Sequence, residues 1–106
     1  MPFKYEVESI SDREMAVLRV TGELDFDDRG DFRVAIDELL ETPQPKRVVD
    51  LSQIKRMSSV YIGTLIDAGS RSRATNSVLS VILCGRMARV CREAGLERVV
   101  RIVDVE

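Results

Sequence analysis

Two adjacent serines, Ser58 and Ser59, lie in "RMSSVYIGTLIDAG" (residues 56–69), between a basic turn-like stretch and a run with helical apolar spacing. A hydroxyl at such a junction has two uses. As an N-cap it accepts a hydrogen bond from a first-turn N–H, worth about 1 kcal/mol. One residue suffices to cap a helix, however, and Tyr61 and Ile62 stand where a capping box would place Glu or Gln. As a phosphoacceptor, a serine there sets a dianion against unpaired N–H groups and the positive end of the helix dipole, changing the surface without unfolding the chain. Spacing alone leaves both uses open.

The remaining reactive side chains exclude more than they suggest. Histidine is absent, so the chain cannot by itself build a Ser-His-Asp or Cys-His site or a histidine-ligated metal centre. Cys84 and Cys91 have neither CxxC nor zinc spacing, and both sit in apolar patterns ("SVILC", "MARVC") that predict inert core thiols, with a redox-responsive cysteine as the alternative. A nucleotide-binding or hydrolysing domain built on Asp25 and the serines lacks both a phosphate-cradling glycine loop and a catalytic base. No enzyme, metal or cofactor is expected.

The elements that position the serines follow from periodicity. "FKYEVES" and "MAVLRVTG", separated by "SDRE", predict an antiparallel hairpin over residues 3–9 and 15–21. A helix is predicted from Asp27, with Phe32, Ala35, Ile36, Leu39 and Leu40 on one stripe, acidic residues crowding its start and "TPQP" stopping it. "RVVDLS" predicts a strand, "QIKRM" a turn, and residues 60–74 a second helix with Ile62, Leu65, Ile66 and Gly69 facing inward. That spacing leaves Tyr61, Thr64 and Ala68 on the outer side, as candidates for a partner surface or as ordinary surface residues. Lys55, Arg56, Arg71 and Arg73 either flank an acidic partner or solvate the surface.

"VLSVILC" is apolar enough for a strand covered on both faces. Met87, Val90, Cys91 and Ala94 then give a third helical stripe ended by Gly95, before "LERVVRIV" as the last strand. The predicted order β-β-α-β-α-β-α-β defines an α/β fold, a mixed sheet with helices packed against it through right-handed crossovers. In such sheets function gathers where strands end and helices begin, which is where Ser58 and Ser59 fall.

Bulk properties agree with a modest, soluble module. The 106 residues predict one domain spanning 1–106, with 44% apolar and 32% charged residues and a net charge of −2. That balance gives no pull toward nucleic acid or an anionic membrane. No apolar run approaches the roughly 18 residues of a membrane span, and no leader precedes the first strand, so a cytoplasmic chain without membrane insertion is expected.

Three segments in order carry a family resemblance. "TGELDFDDRGDFRVAIDELLE" resembles the "GELD…L…LL" region of the STAS domain of bacterial anti-sigma factor antagonists. "VVDLSQIKRMSSVYIG" resembles that family's strand, "DLS", turn and "DSSGLG" signature, and "VILCGRMARVCREAGLERVVRI" its closing segment. The resemblance implies the STAS fold and places Ser59 on the serine that the family phosphorylates, with Ser58 in the position of the preceding aspartate and as the alternative acceptor. Val60 takes the place of the second serine. Ser58 in place of the aspartate removes one nearby carboxylate and Tyr61 in place of the first glycine adds a large ring, so kinase fit is expected to differ. Asp25 matches the "GELD" aspartate beside that serine.

By the same resemblance the partners are an anti-sigma factor serine kinase of the histidine-kinase-like ATPase type and a metal-dependent serine phosphatase. Together they form a partner-switching pathway that controls a sigma factor and hence transcription. Asp25, Ser58, Ser59, Tyr61 and Thr64 are the residues expected to meet a partner. The alternative is a non-switching scaffold or accessory subunit of a stress-signalling or lipid-transport complex. A family-typical C-terminal helix is expected to be short or missing, leaving room for a weak homodimer.

Overall fold

The computed structural model describes residues 3–105. Five strands form one sheet in the order β1-β2-β3-β4-β5: β1 Phe3–Ile10, β2 Met15–Leu24, β3 Lys46–Met57, β4 Val78–Cys84 and β5 Arg101–Val105. β1 and β2 pair antiparallel, and every later pair is parallel. Three helices provide the crossovers, α1 Arg29–Leu40, α2 Val60–Ala74 and α3 Gly85–Glu93. The α/β order is therefore the one periodicity predicts.

Because the strand order steps in one direction, right-handed crossovers deliver all three helices to the same face. Leu18, Val49 and Val81, in register across β2, β3 and β4, are fully buried beneath them. Arg19, Asp50 and Ile82, each one residue further on, point to the other face and are only partly buried. The expectation that β4 is covered on both faces is corrected here: its burial alternates, as for a strand with one open face.

Three boundaries also differ from the periodicity reading. "QIKRM" is strand, not turn, because β2 runs on to Leu24 and pairs with β3 through Met57 across two register shifts, burying Ile54. Residues Phe26–Asp28 form a 3-10 turn before α1 begins. "LER" is a 3-10 turn as well, so the last strand starts only at Arg101. Gly95 ends α3 in the left-handed region at φ 88°, as its C′ position requires.

Two helix faces are rotated relative to prediction. In α2 the buried residues are Tyr61, Ile62, Leu65, Ala68, Gly69 and Ser72, so Tyr61 and Ala68 face inward and Ile66 lies only at the margin. In α3 Ala88 and Cys91 face inward, while Val90 stays 46% exposed. Cys91 is a core thiol whose pKa burial pushes up. Cys84 is only half-buried and donates its S–H to the Ser52 carbonyl at 3.3 Å, which corrects the expectation of two core cysteines.

Candidate functional site

The serine pair closes the junction between β3 and α2. The Ser58 N–H donates to the Leu24 carbonyl at 3.0 Å, tying the start of α2 to the end of β2. The Ser58 carbonyl then accepts from the Tyr61 N–H, and the Ser59 carbonyl from the Ile62 N–H, both at 3.1 Å, to open the helix. Backbone groups therefore do the joining.

The hydroxyls do little capping. Ser59 is the N-cap residue, yet it has helical dihedrals (φ −60°, ψ −18°) and its side chain makes no capping bond. A cap needs an extended residue to aim its oxygen back at the first turn. Ser58 Oγ accepts from the Val60 N–H only at 3.5 Å, the outer limit of a hydrogen bond. Ser59 is exposed and Ser58 half-buried, so of the two hydroxyls that of Ser59 is the more accessible.

Asp25 stands directly after β2, exposed, its N–H donating to Asp28 Oδ2 at 3.2 Å. Its carboxylate lies 3.9 Å from Arg56 at the end of β3, and Arg56 also pairs with Glu23 at 3.2 Å. Arg56 thus sits between two carboxylates of its own chain, a placement that follows from "QIKRM" being strand. These ends meet because β2 and β3 are parallel and finish together, with Leu24 opposite Met57. All these side chains are well exposed, so their pairing contributes charge pattern and little stability.

Tyr61 corrects the expected partner surface. It is fully buried, packs edge-on against Phe32 of α1 with ring centroids 5.1 Å apart, and donates its hydroxyl to the Asp25 carbonyl at 2.6 Å. Burial, with Asp28 and Asp25 nearby, pushes its phenol up to about 12. The ring enters the core because its hydroxyl has a backbone acceptor there, the usual condition for burying a tyrosine. Tyr61 consequently pins the Asp25 turn to the serine-bearing turn and cannot itself meet a partner. Thr64 is half-buried on the same helix, while Ala68 is buried. Arg71 lies further along and pairs with Asp37 of α1 at 2.9 Å, and Arg73 donates to the Arg98 carbonyl; neither joins the serine junction.

The structure thus brings Asp25, Ser58 and Ser59 to one end of the sheet, with Arg56 between the carboxylates. Among the described residues no group of three or more Cys, Asp or Glu is placed to hold a metal ion, and no helix is long and apolar enough to cross a membrane.

Comparison with known proteins places this arrangement in a family. The family model described as "Mlab, STAS domain" matches residues 9–104, and the chain belongs to the STAS domain family. An anti-sigma factor antagonist from Mycobacterium paratuberculosis superposes with a TM-score of 0.75 at 20% identity, covering 94% of this chain and 84% of that one. The Bacillus cell fate determinant SpoIIAA in its phosphorylated form gives 0.66 at 20%, covering 97% and 92%. The anti-sigma factor antagonist SpoIIAA in its unphosphorylated form gives 0.73 at 17%, covering 97% and 89%. No curated protein matches the sequence. The fold is the mixed α/β STAS fold of these antagonists.

Proposed function

We propose that this STAS domain is an anti-sigma factor antagonist that binds a serine kinase of the histidine-kinase-like ATPase type and is switched by phosphorylation of Ser59. The supporting observation is the Ser59 side chain, exposed at the start of α2 and free of the capping bond that would otherwise explain it. A phosphoryl group there gains the first-turn N–H groups of α2 and meets the Asp25–Arg56–Glu23 cluster. The added charge of about −2 lies in the surface where a kinase must sit, so it weakens docking while the fold persists. A metal-dependent serine phosphatase restores the binding state, and no catalytic role falls on this chain. On this reading Asp25, Ser58, Ser59 and Thr64 contribute to the contact surface and Tyr61 holds it in shape.

The test is to incubate the protein with its cognate kinase and ATP and locate phosphate by mass spectrometry. Phosphate on Ser59, absent from Ser59→Ala, is the expected result. A stable kinase complex that never acquires phosphate rejects the switch. A second reading, a non-switching subunit of a lipid-transport or stress-signalling assembly, draws support from the "Mlab" description of the matching family model and from Val60 and Tyr61 replacing family residues. It predicts a complex insensitive to Ser59→Asp.

A further inference from the structure

A cleft of about 480 Å³ opens between the C-terminal ends of β3 and β4 and the first turns of α2 and α3. Its apolar lining includes Ile54, Met57, Ile62, Met87 and Val90. Three cations, Lys55, Arg56 and Arg86, line it as well, and no acidic residue does, although the chain as a whole carries a net charge of −2. Among the described residues Lys55 and Arg86 have no carboxylate within ion-pair distance, while Arg56 pairs with Glu23 and Asp25. Both helices that begin at this cleft lack a side-chain cap bond from their N-cap residues, Ser59 and Cys84. Positive charge and apolar surface therefore coincide in one concavity.

We propose that this cleft binds a small amphipathic anion, a single alkyl chain with a carboxylate or phosphate head. The volume lies within the range of roughly 300–1,000 Å³ that small-molecule sites occupy. Lys55, Arg86 and the uncapped first turn of α3 take the head, where unpaired N–H groups add to the cationic charge. The tail lies along Ile62, Met87 and Val90, which gives the exposed Val90 side chain its covering. Two methionines, Met57 and Met87, adapt the wall to chains of differing length. No aromatic ring lines the cleft for a base to stack on, so a nucleotide fits it less well. Binding here does not require that Ser59 be phosphorylated, so the two ideas fail independently.

The test titrates the intact protein with decanoate and decyl phosphate below their micelle concentrations, by calorimetry and by ¹H–¹⁵N spectra. Saturable one-to-one binding is expected, with shifts centred on Ser59, Ile62, Met87 and Val90. Affinity should rise with chain length by up to about fourfold per methylene, the gain for burying each in an apolar site. Arg86→Glu, an exposed position, should weaken binding at least fivefold, whereas Val78→Glu, at the opposite end of β4, should leave it unchanged. Thermal melts of both variants confirm that they fold; should Arg86→Glu not, Lys55→Glu takes its place. The proposal is overturned if decanol binds as tightly as decanoate, or if reversing the cation has no effect. It is equally overturned if inorganic phosphate or ATP gives the same shifts at equal or higher affinity.

Discussion

At the residue scale, the roles of Ser58, Ser59 and Tyr61 separate by what each side chain can reach. Ser58 is held by its own backbone and its hydroxyl makes only a long, weak contact with the Val60 N–H, whereas Ser59 makes no cap and faces out. Ser59→Ala should abolish phosphate uptake and leave stability nearly unchanged, while Ser58→Ala should keep the phosphate. Mass spectrometry with urea titration measures both, and phosphate retained on Ser59→Ala would move the acceptor to Ser58. Ser59→Asp should weaken kinase binding at least tenfold in a pull-down or calorimetric titration. Tyr61→Phe tests the pin: it keeps the contact with Phe32 but removes one of the two donors to the Asp25 carbonyl, which still accepts from the Asp28 N–H at 3.1 Å. A loss of about 1 kcal/mol in urea denaturation is expected, the net contribution of one hydrogen bond.

At the scale of elements, α2 shows what periodicity reads and what it misses. Its limits, Val60–Ala74, are those predicted, and so is the placement of Ile62, Leu65 and Gly69 inward. The missing part is the rotation that brings Tyr61, Ala68 and Ser72 under cover, because an aromatic phenol reads as surface until its acceptor, the Asp25 carbonyl, is known. That acceptor comes from another element 36 residues away, beyond any local pattern. The placement of Arg56 is equally non-local, since a strand's extra length is set by its neighbour β2 and not by its own residues. The glycines of α2 sharpen the distinction between face and surface. A Cβ on Gly69 would stand 2.6 Å from Val100 Cγ1 and 2.7 Å from the Val99 carbonyl, whereas one on Gly63 would meet nothing within 4 Å. Gly69→Ala should therefore cost about 1–3 kcal/mol by overpacking. Gly63→Ala should instead stabilise by about 0.5–1 kcal/mol through helix propensity. Opposite shifts in melting temperature confirm the face assignment, and equal shifts contradict it.

At the scale of the whole molecule, one covered sheet face and one open one leave the STAS fold dependent on how firmly the two strand ends, β2 and β3, are tied to the helices above them. The Tyr61 phenol makes that tie sensitive to pH. Its ordinary value is 10.0 and burial raises it to about 12 in the folded protein, so below pH 10 both folded and unfolded chains keep the proton and the full contribution to stability is present. Between pH 10 and about 12 the unfolded chain releases the proton while the folded chain retains it, so stability falls as pH rises through that window. Tyr5 and Cys91 add contributions of the same sign, since the hydrogen bond to Glu38 raises the Tyr5 phenol and burial raises the Cys91 thiol. Urea midpoints followed from pH 9 upward should decline for the wild type and decline less for Tyr61→Phe, which keeps the Tyr5 and Cys91 contributions. Tyrosinate absorbance should report Tyr61 ionising together with unfolding and not ahead of it. If Tyr61 ionises in the folded protein near pH 10, its hydroxyl is open to water, and the coupling it provides between the Asp25 turn and the Ser59 turn is lost with it.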